Sequence, residues 1–201
     1  MKVAVIIFEE FETLDVFGPV EIFGRLKDNY QISFYSMRGG LIKNSHGVAI
    51  QTENMEKIID GADIFLIPGG YGTRIEVNNK LFIDKIREIS MLSKFVLTVC
   101  TGSALLAKTG LLDNKKATSN KKAFDWVITQ STIVNWVRKS RWTKDEKFYT
   151  SAGVSAGMDM TLGFLQDIHG IEFARQVAFD IEYNWIENMD EDNFHRNQNI
   201  V

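Results

Sequence analysis

The chain holds one cysteine, Cys100, within the run FVLTVCTGSALLAKTG from Phe95 to Gly110. Apolar and β-branched residues lead into it and a small-residue helical pattern leads out, so the thiol stands where a buried strand turns into a helix. A tight turn of that kind lifts a nucleophile above the edge of a sheet. The helix opening at 101–104 aims unbonded N–H groups and a positive dipole end at the sulfur, which predicts an environment favouring the thiolate. Two other stretches offer partners. In IPGGYG, the consecutive Gly69 and Gly70 allow a close backbone approach, and their N–H groups are candidates for an oxyanion hole. In FETLDVFGP, Asp15 falls in the first turn of a helix that follows a strand, where a carboxyl group can meet Cys100. Each signal also has a plainer reading. Free cysteines serve as small buried hydrophobes, a PGG run is a turn, and an acidic residue complements a helix start, as Glu9, Glu10 and Glu12 also would.

The elements that must position these residues are legible from periodicity. Lys2 to Phe8, Asp63 to Ile67 and Lys94 to Val99 are short, nearly continuous apolar runs, the pattern of parallel strands covered on both faces. Tyr30 to Ser36 alternates and reads as a further strand, while Thr13 to Lys27, Lys80 to Leu92 and Gly102 to Lys108 have helical spacing. This alternation predicts an α/β doubly wound, mostly parallel sheet, whose sites lie beyond the carboxyl ends of the strands. The segments 39–52 and 142–153 read as two strand pairs, inserted or at the sheet edges, and 155–168 and 171–188 as two helices divided by Gly170. Residues 1–188 are expected to form one domain, followed by a polar, loosely held tail over 189–201.

Composition narrows the function classes. No apolar run approaches the ~18 residues a membrane span needs, and acidic residues follow the first apolar stretch where a signal peptide would carry a cleavage site. One cysteine permits no internal disulfide and no cysteine-rich zinc site, which predicts a cytoplasmic protein with a free thiol, no metal and no cofactor. With a net charge of −3 the chain lacks the field that draws proteins to phosphate backbones, so nucleic acid is not an expected partner. The lysines at 115, 116, 121 and 122 read as a solvated turn and helix start.

Taken in order, LDVFGPVEIF, IPGGYG, VCTGSALLAKTGLL, KATS and YTSAGVSAGMDMTL cover nearly the whole chain and resemble the ThiJ/PfpI superfamily of class I glutamine amidotransferase-like proteins. The resemblance implies a flavodoxin-like sheet sandwiched by helices, a strained cysteine elbow beside a carboxylic acid, and PGG glycines lining the pocket. Thr101 stands where the protease-like branch carries His, and the acidic position is Asp15 rather than Glu. Both features resemble the isonitrile hydratase branch. One departure lies after the elbow helix, where related proteins often carry His and this chain reads Ala117, Thr118, Ser119, Asn120, Lys121. Asn120 cannot act as a base, and His46, His169 and His195 are expected in surface or structural roles.

Amide hydrolysis by cysteine ordinarily needs a histidine to manage protons. An isonitrile requires thiolate attack and proton delivery but no departing amine. The resemblance therefore implies hydration of an isonitrile to an N-substituted formamide, with Cys100 as nucleophile, Asp15 moving protons and Thr101 orienting intermediate or water. Gly69, Gly70 and Gly153 would form the pocket wall, with Phe17 and Tyr71 as apolar contacts. A carboxylate beside a thiolate is unfavourable, so the pair is expected to hold a proton near neutral pH. A noncatalytic ligand-binding or redox-sensing domain is the alternative, and glyoxalase, deglycase or amidase chemistry fits less well. The resemblance also implies a homodimer acting on a small molecule.

Overall fold

The computed structural model describes residues 1–196. The chain runs through β1 (Lys2–Ile6), α1 (Thr13–Arg25), β2 (Gln31–Ser36), β3 (Gly40–Lys43), β4 (Ala49–Asn54), β5 (Ile64–Ile67), α2 (Thr73–Glu76) and α3 (Lys80–Leu92). It continues with β6 (Phe95–Thr98), α4 (Gly102–Lys108), β7 (Lys116–Ala117), α5 (Phe124–Ile128), β8 (Asn135–Trp136), β9 (Trp142–Asp145), β10 (Phe148–Ser151), α6 (Ala156–His169) and α7 (Ile171–Asp180).

Eight strands form one sheet in the order β3-β4-β2-β1-β5-β6-β10-β9. The inner strands are parallel, and only the edge strands β3 and β9 run antiparallel to their neighbours. The continuous apolar runs are explained by this position: every residue of β5 is buried, as are Val3 to Ile6 of β1. Strand β1 has β2 on one side and β5 on the other, so the chain changes direction across the sheet between β1 and β5. A crevice at the carboxyl ends of those strands results from that reversal. Helices α1, α6 and α7 pack on one another, and α4 packs on α2, α3 and α5, so two helical groups flank the sheet. Phe164 of α6 stacks edge-on against Phe23, Phe95 and Tyr149, joining helix, sheet and α1 in one core.

Two expectations change in the last quarter of the chain. The helix read to 188 ends at Asp180, because Glu182 takes a left-handed conformation (φ 52°) and the Glu182 and Tyr183 N–H groups bond back to the carbonyls of Phe179 and Ala178. That is a Schellman stop, formed without the usual glycine. The stretch 183–186 is pinned by a buried carboxylate rather than by helix geometry: Asp159 Oδ1 accepts from Tyr183 Oη at 3.1 Å and Ile186 N at 2.9 Å. Nor is the segment from Met189 loose as far as it is described. Met189 O accepts from Arg141 N (2.8 Å), Asp192 N donates to Lys139 O (2.8 Å), and Asp192 is buried. Residues 197–201 of the expected tail lie outside the described residues. No helix among the described residues is long and apolar enough to cross a membrane.

Candidate active site

Three loops at the carboxyl edge of the sheet converge: 7–12 after β1, 68–72 after β5, and 99–101 after β6. The first two are laced together by a bridge between Phe11 and Gly70 and by Glu12 N donating to Gly69 O at 2.9 Å. Cys100 closes the third with φ 58°, a left-handed conformation that costs a non-glycine residue about 1–3 kcal/mol. Its surroundings hold it there. The Cys100 N–H donates to Ala152 O at 3.2 Å, and its carbonyl accepts from Ser103 Oγ at 3.1 Å and Ser119 Oγ at 2.8 Å. Ser119 comes from the KATS run, a motif whose residues had no task assignable from sequence.

Asp15 and Cys100 meet across the end of β5, which lies between the strands that lead to them. Asp15 is fully buried and accepts one bond, from Gly69 N to Oδ2 at 2.9 Å, while Oδ1 has no partner of ordinary hydrogen-bond geometry. Gly69 is there because nothing larger fits: a Cβ at that position would lie 2.6 Å from Thr101 N and 2.8 Å from Asp15 Oδ2. Burial raises the Asp15 carboxyl well above the ordinary range, against the Gly69 N–H, and the charge of Glu12 adds to the rise. The Cys100 thiol and Val154 N–H pull the other way by smaller amounts.

The thiol behaves differently from expectation. Burial, then the charge of Asp15, pushes Cys100 well above its ordinary value. The Thr101 N–H at the start of α4, the Asn120 side chain and the Val154 N–H favour the thiolate but do not prevail. The short helix opening is therefore one of several donors rather than the controlling influence. A thiol raised above its ordinary value keeps its proton at neutral pH, so the pair carries at most one negative charge.

The expected oxyanion hole also moves. Gly69 N–H is committed to Asp15, and Gly70 N–H donates to Thr101 Oγ1 at 3.1 Å, so neither glycine has a donor to spare. Thr101 Oγ1 also accepts from Thr73 Oγ1 at 3.0 Å and lies 3.3 Å from Gly70 O. That hydroxyl ties α4 to the glycine loop. The donors that act on the sulfur instead are the Thr101 N–H, Asn120 and the Val154 N–H. Asn120 is oriented by a bond from Ala123 N to its Oδ1 at 3.0 Å, which leaves Nδ2 as the end facing the thiol. Gly153 makes room for it, since a Cβ there would lie 2.2 Å from Asn120 Nδ2.

Asn120 and Val154 are residues acting on the sulfur that sequence reading missed. Asn120 stood out only as a lost base, although an amide donor was the signal available. Val154 gave none, because nothing in a β-branched residue foretells φ 51°. Phe17 and Tyr71 are both exposed, and neither lines the cleft in which the sulfur's neighbours Asn120 and Val154 stand, whose other walls are Lys121, Lys122, Gly153, Ser155, Asp192 and Phe194. Lys121 corrects a further expectation. It is buried, not solvated, donating to Thr118 Oγ1 (2.9 Å) and Ser140 O (2.5 Å), and burial pushes its amine down to about 8. Among the histidines, His46 meets Thr13 and His169 meets Tyr30. None is among the groups that set the charge of Cys100.

A doubly wound sheet with a cysteine at a left-handed elbow and a buried carboxyl at its side defines a class of α/β cysteine-elbow proteins. The chain belongs to the DJ-1/PfpI family, whose profile matches residues 1–167. It is 27% identical over 183 residues to the isonitrile hydratase of Pseudomonas putida, covering 91% of this chain and 78% of that protein. It is 26% identical over 161 residues to the HTH-type transcriptional regulator CdhR of Pseudomonas aeruginosa, covering 80% of this chain and 47% of the regulator. A crystal structure of a ThiJ/PfpI family protein from Pseudomonas syringae superimposes with a TM-score of 0.82 at 24% identity, over 91% of this chain and 75% of that one.

Proposed function

We propose that this chain hydrates an isonitrile to an N-substituted formamide through a thioimidate on Cys100. The observation that carries this reading is the buried Cys100–Asp15 pair, with no histidine among the groups acting on the sulfur. Such a pair moves one proton over a short distance and offers no second acid for a departing amine. The likeness to the Pseudomonas putida isonitrile hydratase supports the choice of substrate class.

The proton balance runs through Asp15. Ionised Asp15 takes the Cys100 proton as sulfur attacks the terminal carbon, and that proton goes to the carbon. R–N≡C and HS–Cys thereby become R–N=CH–S–Cys. Water then adds to the thioimidate carbon, giving up a proton to Asp15 while nitrogen gains one. Collapse breaks the C–S bond, returns the electron pair to sulfur and the proton to the thiol, and releases R–NH–CHO. The raised Asp15 carboxyl suits both directions of transfer, since a base that titrates nearer neutrality also gives its proton back. Asn120 and the Val154 and Thr101 N–H groups would stabilise charge on sulfur as it is exposed and re-formed.

A low-pKa redox sensor is less well supported, because burial raises rather than lowers this thiol. The regulator relative is matched over less than half its length, so its activity does not bear on this chain. The test is N-formamide formation from a simple alkyl isonitrile, with wild type and Cys100→Ala compared. Turnover lost in the variant is expected; no turnover by folded, reduced wild type would overturn the reading.

A further inference from the structure

The segment that sequence polarity assigned to a loose tail reaches the cleft lined by Asn120 and Val154, two residues that act on Cys100. Met189 O bonds to Arg141 N, and Asp192 N to Lys139 O, which lays 189–192 along the chain entering β9. Asp192, 2% exposed, places Oδ1 3.6 Å from Arg141 Nη1, and its charge also bears on the buried Lys121 amine. The same carboxylate oxygen accepts from Phe194 N at 3.0 Å and starts a single turn over Asn193–Arg196. Phe194 stands on that turn, 61% exposed, at the wall of a cleft of about 270 Å3. Asn120 and Val154, which act on the sulfur, line the same cleft.

A single exposed phenylalanine is ordinary on a protein surface. This one is different because a buried ion pair holds its turn in place, and because the surface its cleft exposes is largely apolar although most of the lining side chains are polar. Lys121, Lys122, Ser155 and Asn120 leave Phe194 and Val154 as its apolar side chains. A molecule reaching Cys100 with an apolar substituent would lay that substituent on the ring and remove apolar surface from water.

We propose that Phe194 is a specificity-determining residue for Cys100, selecting reactants with an aryl or cycloalkyl substituent over those with a methyl group, and that Asp192 positions it. The preference concerns access to the thiol and rests on the isonitrile reading only for the identity of the natural reacting group. The test therefore uses alkylation of Cys100 in the full chain, followed by intact mass. Rates with N-benzyl iodoacetamide and with iodoacetamide are each divided by the rate with free glutathione, and their ratio is compared among variants.

Wild type is expected to favour the benzyl reagent, and Phe194→Ala to reduce that preference by about tenfold, the scale of one apolar pocket contact. Phe194→Leu should retain most of it, and Asp192→Asn should lower it by less than Phe194→Ala does. An unchanged ratio in Phe194→Ala overturns the proposal. So does an equal rise in both rates, which would make the turn a simple obstruction. Benzyl and methyl isonitrile assayed alongside separate the two readings: absence of turnover overturns the hydratase, while the alkylation ratio still decides the role of Phe194.

Discussion

Asp15 and Asp159 are both fully buried carboxylates, and the molecule treats them in opposite ways. Asp159 has every oxygen occupied: Oδ2 faces the Arg141 guanidinium at 2.5–2.7 Å, and Oδ1 accepts from Tyr183 and Ile186. Burial still raises it, but Arg141 and the Ile186 N–H oppose the rise. Asp15 has one well-formed backbone bond, from Gly69, weaker contributions from the Val154 N–H and the Cys100 thiol, and no cation beside it. A fully satisfied buried charge fastens parts of a fold together, here α6, the start of β9 and the 183–186 segment. A carboxyl left short of partners is raised by its burial and holds its proton more readily.

Removing the sulfur separates chemistry from architecture most sharply. Cys100→Ala should lower isonitrile turnover by about 10^4-fold or more, as loss of a covalent nucleophile does, with the chain still folded. Asp15→Asn should cost about 10^2–10^4-fold, the range of a positioned acid–base group. It should also alter the dependence of Cys100 alkylation on pH, because the charge that helps to raise the thiol is gone. An unchanged alkylation profile would mean that the two side chains do not interact.

The same variant tests stability with a defined sign. The Asp15 carboxyl titrates higher folded than unfolded, so the folded chain binds more protons and stability falls as pH rises from the ordinary carboxyl range through the raised value. Asp15→Asn removes that fall. Its melting temperature relative to wild type should increase as pH rises from about 4, the unperturbed carboxyl value. A relative melting temperature that drops over that range would show that Asp15 is stabilised as the carboxylate.

Asp159→Ala should do the reverse of Asp15→Asn, destabilising by about 3–5 kcal/mol because Arg141 loses its principal buried partner. Urea denaturation measures it, and a change below about 1 kcal/mol, the scale of an exposed pair, would break the contrast. The smallest effect belongs to Asn120→Ala. Loss of one donor to a charged sulfur should slow alkylation at fixed pH by about tenfold, in line with the ~1.5–3 kcal/mol of a hydrogen bond to a charged group. Equal rates would place the amide in a purely structural role at the Ala123 N–H.

The elements legible in the sequence were those whose pattern is local. Continuous apolar runs marked β1, β5 and β6 because strands buried on both faces need no polar side, and the elbow at Cys100 was readable as a strand meeting a helix. The pairing of Asp15 with Cys100 followed from two loops sharing the carboxyl edge of one sheet. Local pattern could not say which N–H groups remain free once the loops meet. Gly69 and Gly70 carry donors by composition, but tertiary packing assigns those donors to Asp15 and Thr101.

Packing likewise turned Asn120 from an apparent loss into a donor, buried Lys121, and drew 189–196 back over the cleft through Asp192 and Arg141. The direction of the thiol shift was decided in the same way. A helix start acts through a few aligned peptides near the sulfur, whereas burial and a neighbouring carboxylate act through everything packed around it. Residue type and spacing thus determined the fold and the Cys100–Asp15 pair, while only the folded chain decided the charge they hold and what can reach them.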